Sequence, residues 1–257
     1  MLILTIIGPF VTEAREGCVE GAQQCDEGWG LWEGRGFRYN GTFRGARFDG
    51  VGTITHIGRG SSYSGGFVQG TRQGRGTLHY ADGSRFAGDF QSNWIADRSV
   101  GEWTPRVADP GAYFFGAAGV PAASAPLRGV WRSDPTARPP LARLIVSRSG
   151  LGGEGAAPTC SAATASAMAA AGGGVLTAAF GIFLYEDSGR YEGALCYDAT
   201  TESAKFDGYG SFVYGHNGAA YHGTFANGLF DGNGAWLSPR GTRMVGQWTK
   251  GGLETLG

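Results

Sequence analysis

Residues 63–90 read YSGGFVQGTRQGRGTLHYADGSRFAGDF, and the spacing inside this stretch decides the fold. Tyr63, Gly65 and Phe67 stand at alternate positions, so an extended strand puts two aromatic rings and one bare backbone position on the same face. The glycine leaves room for a neighbouring ring. Beyond a turn expected over residues 70–73, the residues Gly74, Gly76, Leu78 and Tyr80 alternate again, as the return strand of a hairpin does. Asp82 and Gly83 then supply a turn, since glycine tolerates positive φ and the aspartate side chain can hold nearby amides. Phe86, Gly88 and Phe90 restart the pattern 23 residues after Tyr63.

The same phase runs outward in both directions. Upstream, Tyr39, Gly41 and Phe43 lead into Gly50, Gly52 and Ile54, preceded by a worn half-copy at Gly28, Gly30 and Trp32. Downstream, Tyr191, Gly193 and Leu195 continue into Gly208, Gly210 and Phe212 after an insertion around residues 199–205. Tyr221, Gly223, Phe225, Gly228, Gly232, Gly234 and Trp236 form a clean copy, and Met244, Gly246 and Trp248 open a last one. In the copy from Phe86, Asn93, Asp97 and Ser99 stand where glycines belong, so the first array is expected to fray before Trp103. Leu127, Gly129 and Trp131 suggest a degenerate copy with no second strand close behind. These phases divide the chain into a capping segment (1–27), a first array (28–104), an Ala/Gly/Pro-rich insertion (105–180) and a second array (181–257).

A YxGxF or YxGxW opening, an NG or QG turn and a GxG strand at a period near 23 resemble the MORN repeat, best in YSGGFVQGTRQGRGTLHYADGSRF and YHGTFANGLFDGNGAWLSPRG. Several phased copies rarely arise by chance. The resemblance implies an all-β protein: elongated single-layer sheets of stacked antiparallel hairpins that serve as docking surfaces, with no catalysis by the repeats and no cofactor.

Composition agrees with an unusual β architecture. Gly accounts for 48 of 257 residues, aromatics for 12% and charged residues for only 17%, a balance foreign to an ordinary globular domain. Within the insertion, Ser161–Ala171 is an alanine-rich run with a serine N-cap and a Gly172–Gly174 stop, which predicts one short helix, marginal on its own. The uncharged stretch 155–185 is too poor in leucine to favour a membrane span. The apolar segment 1–11 lacks a basic n-region and a cleavage signal, and its β-branched residues favour a buried strand capping an array. The expected location is cytoplasmic.

Catalytic chemistry finds little support. Cys18, Cys25, Cys160 and Cys196 form no CxxC pair and are expected as free thiols. His56, His79, His216 and His222 lie in or beside repeat strands and turns, none at metal-ligand spacing from another. The GRG tripeptides at Gly34, Gly58 and Gly74 lack the strand-to-helix context and GK[ST] ending of a phosphate loop, and their fixed β phase sets them apart from RNA-binding tails.

Charge distribution says more than the total of −1. From Arg35 to Arg85, eight arginines face Asp49 and Asp82, a local balance of +6, whereas residues 149–257 carry a balance of −4. Nucleic acid is not an expected partner. Arg44, Arg47, Arg72 and Arg75 are read as basic side chains between strands of the first array, and Trp94 and Trp103 as rim aromatics of a partner-binding groove. The family resemblance implies a scaffold for proteins, in cytoskeletal, ciliary or flagellar assemblies where acidic tubulin tails would suit the first array, with self-association through sheet edges open. Recognition of anionic phospholipid is the alternative, weakened by the presence of only Lys205 and Lys250 as lysines. Targeting of a separate enzyme subunit is the third.

Overall fold

The computed structural model describes residues 27–105, 126–137, 141–147, 160–186 and 189–254. The expected N-terminal cap, Cys18 and Cys25 lie outside them. The chain divides into two units. The first holds β1 (Glu27–Gly34), β2 (Phe37–Arg44), β3 (Arg47–His56), β4 (Ser62–Val68), β5 (Thr71–His79), β6 (Arg85–Gln91), β7 (Trp94–Ile95), β8 (Ser99–Thr104) and β9 (Leu127–Asp134). The second holds β10 (Leu141–Ser147), α1 (Ala162–Ala170), β11 (Leu176–Tyr185), β12 (Arg190–Asp198), β13 (Ser203–Val213), β14 (Ala220–Ala226), β15 (Leu229–Leu237), β16 (Arg243–Thr249) and β17 (Gly252–Leu253). Within each unit neighbouring strands pair antiparallel in chain order, except that β6 pairs with both β7 and β8.

The glycine columns set the register. Gly41 pairs with Gly52, Gly52 with Gly65 and Gly65 with Gly76; in the second unit Gly193, Gly210, Gly223, Gly234 and Gly246 continue one another in the same way. Each repeat tyrosine lies flat over two of these glycines. A Cβ on Gly76 would stand 2.4 Å from the Tyr63 ring, and one on Gly234 would stand 2.2 Å from the Tyr221 hydroxyl. The phenol then donates to the backbone carbonyl three residues on: Tyr39 to Thr42 at 2.9 Å, Tyr63 to Gly66 at 3.0 Å, Tyr221 to Thr224 at 3.0 Å, and Tyr191 to Ala194. Each of those carbonyls sits where the register shifts at a bulge. The bulge extends the opposing strand around a glycine with positive φ, such as Gly50 at 93°. Thr42 fills the space beside Gly50, its hydroxyl accepting from the Val51 amide at 2.9 Å and donating to the Asp49 carbonyl.

Rings therefore form a ladder on one face. Tyr39 stacks on Phe48 at 3.8 Å, Tyr191 on Phe206 at 3.6 Å and Tyr221 on Phe230 at 3.8 Å, and each receives an edge contact from the next repeat: Phe67, Phe225 and Trp248. These offset and edge-on geometries are those the ring quadrupole favours. Phe43, Phe86 and Phe90 belong to the same buried set. The first array does not fray before Trp103. Asn93 takes the glycine's left-handed role at φ 74°, which Asn tolerates better than most residues, and β8 pairs with β6 and β9. Trp131 closes edge-on against Phe86 at 4.8 Å, so the degenerate copy at 127–131 is a ladder strand. Strands β9, β10 and the start of β11 fall between residues 105 and 180, where composition pointed to an insertion.

Helix α1 matches its expected span. Ser161 caps it by accepting from the Thr164 amide at 3.3 Å. Its C-terminus closes with Gly172 at φ 86° and paired bonds from Gly172 to the Ala169 carbonyl and Gly173 to the Met168 carbonyl. The expectation of free thiols fails: Cys160 and Cys196 are joined in a disulfide. Thirty-six residues separate them, so no local spacing announces the pair.

Burial of the tyrosines gives the fold a pH limit. Desolvation raises Tyr63 from 10 to about 12, opposed by the nearby Arg72 cation, and raises Tyr39, Tyr191 and Tyr221 further. Above pH 10 an unfolded chain releases these protons while the folded chain keeps them, so stability falls with rising pH. We expect the thermal midpoint to hold to about pH 10 and to drop steeply between pH 10 and 12, followed by circular dichroism; a flat profile over that window would contradict the buried-phenol geometry.

Candidate docking surface

Strand alternation separates the ring face from an outer face in the first unit. Phe43, Tyr39 and Ile54 point to the rings; Arg38, Asn40, Thr42 and Arg44 on β2, and Thr53 and Thr55 on β3, point outward. The hairpin tips are two-residue turns with positive φ at both positions, as at Gln69 (53°) and Gly70 (84°), which matches the twist of the strands they join. That turn begins one residue earlier and ends three residues earlier than the spacing suggested, so β5 begins at Thr71 and Arg72 and Arg75 lie within it.

This shift matters for the six residues singled out as partner-binding. Arg72 is buried. Its guanidinium lies 5.5 Å from the Tyr63 ring centroid and 5.9 Å from that of Phe90, in the place that Phe48, Phe206 and Phe230 hold in the other copies. It is a ladder residue with a cation for a ring. Trp94 and Trp103 are also buried, Trp103 completely, and Trp103 pairs with Phe86 across β8 and β6. Trp103 joins the ring face because it lies opposite Phe86, whereas Trp94 lies opposite Gln91, on the other face of the strand, and is buried there. Arg44, Arg47 and Arg75 remain outside. Arg44 lies 3.7 Å from Asp49, Arg47 donates to Gln69 at 2.6 Å, and Arg75 lies 3.6 Å from Asp89. Such exposed pairs contribute about 0–1 kcal/mol to stability, so these side chains can exchange partners at little cost.

Arg44 and Arg47 are directly opposite one another at the β2–β3 tip. On the same outer face stand Trp29, opposite Thr42, and Val51, opposite Gly66, with Val68 two residues further along β4. Trp29, Val51 and Val68 are 56%, 61% and 50% exposed. The exposed tryptophan and the two arginines are residue types that interaction hot spots favour, and the valines add apolar surface beside them. Trp29 escaped sequence reading because the glycine phase drew attention to Trp32; its odd position relative to Gly28 and Gly30 was the signal. Among the described residues no cluster of His, Cys, Asp and Glu could hold a metal ion, and no helix is long and apolar enough to cross a membrane.

Flat tyrosines over paired glycines, bulges opposite each phenol and tight hairpin tips define an antiparallel β-hairpin repeat protein. The family model described as the MORN repeat matches residues 63–85 and 221–243, and the chain carries MORN repeats at these two places. No curated protein gives a significant match to it. MORN repeats are generally modules for protein or lipid interaction and typically carry no catalysis.

The position of Arg72 yields a prediction. Arg72→Phe restores the stacked ring of the other copies and removes a buried cation; we expect a gain of about 1 kcal/mol in thermal or urea unfolding. The Tyr63 phenol should then titrate still higher than in the wild type, because the cation that favours the phenolate is gone. Arg72→Glu should cost at least about 2 kcal/mol.

Proposed function

We propose that this protein is a non-enzymatic scaffold that docks partner proteins on the outer face of its first sheet, within a cytoskeletal, ciliary or flagellar assembly. The observation that carries the reading is the Trp29–Val51–Val68 patch with Arg44 and Arg47 beside it, set on a sheet whose rings are used internally. A rigid ladder fixes the patch, so docking costs little ordering. The two arginines favour an acidic partner, of which an acidic tubulin tail is the chemical type. Anionic phospholipid is the competing ligand for the same charges.

Detergent extraction of the tagged protein from its native cell, followed by sedimentation, tests the setting. Retention in a salt-resistant cytoskeletal pellet is the expected result. Full release by detergent alone, together with co-sedimentation of the purified chain with phosphoinositide liposomes, would replace the scaffold reading by membrane tethering.

A further inference from the structure

The repeats share a clip between hairpins. In three copies the side chain immediately before the left-handed glycine of the return strand accepts from the first amide of the next turn: Asp49 from Gln69 at 3.1 Å, Gln73 from Ser92 at 3.1 Å, Asp231 from Lys250 at 3.3 Å. Asp207 occupies the corresponding position, following Phe206 as Asp49 follows Phe48, and the next turn amide is that of Asn227. Here the clip is interrupted. Thr164 of α1 accepts from the Asn227 amide at 2.7 Å and donates to Asp207 at 2.9 Å, while the Ser161 amide and hydroxyl take the same carboxylate at 2.6 and 2.7 Å.

Helix α1 is thus an addition to a contact the sheet makes without it elsewhere. It packs on the face away from the rings, since Leu195 and Phe206 belong to the ladder and their neighbours Cys196 and Asp207 point the other way. Only Thr164 and Met168 are buried along the helix, and nine residues, all Ala, Ser or Thr apart from Met168, hold no helix by themselves. At its far end Gly174 donates to Asp198 at 2.6 Å. Asp198 and Cys196 lie on the overhang that the longer β12–β13 hairpin adds beyond Leu195, where Cys196 pairs with Lys205 and Asp198 with Ser203. The covalent tie is Cys160–Cys196.

We propose that residues 160–174 form a redox-controlled strap, closed by the Cys160–Cys196 disulfide and released when it is reduced. On release Asp207 accepts directly from Asn227, as Asp49 and Asp231 do for their turns, and the face of β12 and β13 beneath α1 becomes accessible. The exchange needs a thiol donor of the glutathione class. Its thiolate attacks Sγ of Cys160, the half-buried partner, forming a mixed disulfide and expelling the buried Cys196 thiolate, which takes a proton. A second thiol then attacks the glutathione sulfur of the mixed disulfide, frees Cys160 and leaves as oxidised glutathione; two electrons and two protons pass to the protein. Closure runs the same steps in reverse with oxidised glutathione. In a reducing compartment disulfides of this kind are the transient, sensing type.

Hydrogen–deuterium exchange of the full chain, read by mass spectrometry in excess oxidised or reduced glutathione, tests the strap. Reduction should speed exchange at amides of 162–174 at least tenfold, leave β12–β15 unchanged and keep Asn227 protected. In the reduced protein Asp207→Ala should then expose Asn227. Cys160→Ser should behave as permanently reduced. Unchanged protection of 162–174 on reduction would overturn the proposal, as would loss of protection in β12–β14 together with α1, which would make the disulfide a staple of the sheet.

Discussion

Gly223→Val is expected to unfold the second unit, with a loss above about 4 kcal/mol. A Cβ at Gly223 would lie 2.5 Å from the Gly234 Cα, 2.6 Å from the Asn233 carbonyl oxygen and 2.6 Å from the Tyr221 hydroxyl. Two of those atoms are backbone and cannot step aside. The tyrosine could move only by leaving Phe230, on which it is stacked, and Trp248, which meets its edge. Gly65→Val should do the same to the first unit, where the Gly76 Cα stands 2.6 Å away. Urea unfolding followed by tryptophan fluorescence would measure both, and an unchanged midpoint in either variant would contradict the glycine register.

Trp103→Ala should cost about 3–5 kcal/mol, the range for removing a large buried ring. Trp103 is fully buried, meets Tyr80 edge-on at 5.6 Å and lies opposite Phe86, the ring that also packs on Trp131. Its loss opens the ladder where β8 and β9 complete the first sheet. The same experiment separates a core role from a docking role: a rim tryptophan would leave the unfolding midpoint within about 0.5 kcal/mol of wild type.

The ladder was legible because its rule is local. Tyr, Gly and Phe at alternate positions, repeated at a period near 23, state which residues share a face and which strands must approach closely. The same rule carried further information that was passed over: aligning Phe48, Phe206 and Phe230 puts Arg72 in their column, and therefore inside. Strands β9 and β10 were harder to see, since a ring and one glycine suffice for Trp131 to join the ladder when the neighbouring strand supplies Gly101. Asn93 obscured a turn by doing a glycine's work with a side chain. The Cys160–Cys196 tie and the Asp207–Thr164–Asn227 relay join residues distant in sequence, and no periodicity encodes them. The candidate surface was half legible, its arginines from charge density and its tryptophan only from the strand that exposes it.

The most direct test of the docking account compares partners captured by crosslinking in the native cell for wild type and for a Trp29→Ala, Arg44→Glu, Arg47→Glu variant, with unfolding midpoints measured alongside. The account predicts loss of the crosslinked partners and a midpoint within about 1 kcal/mol of wild type, since all three side chains are exposed. An unchanged set of partners on a variant that folds normally would contradict it.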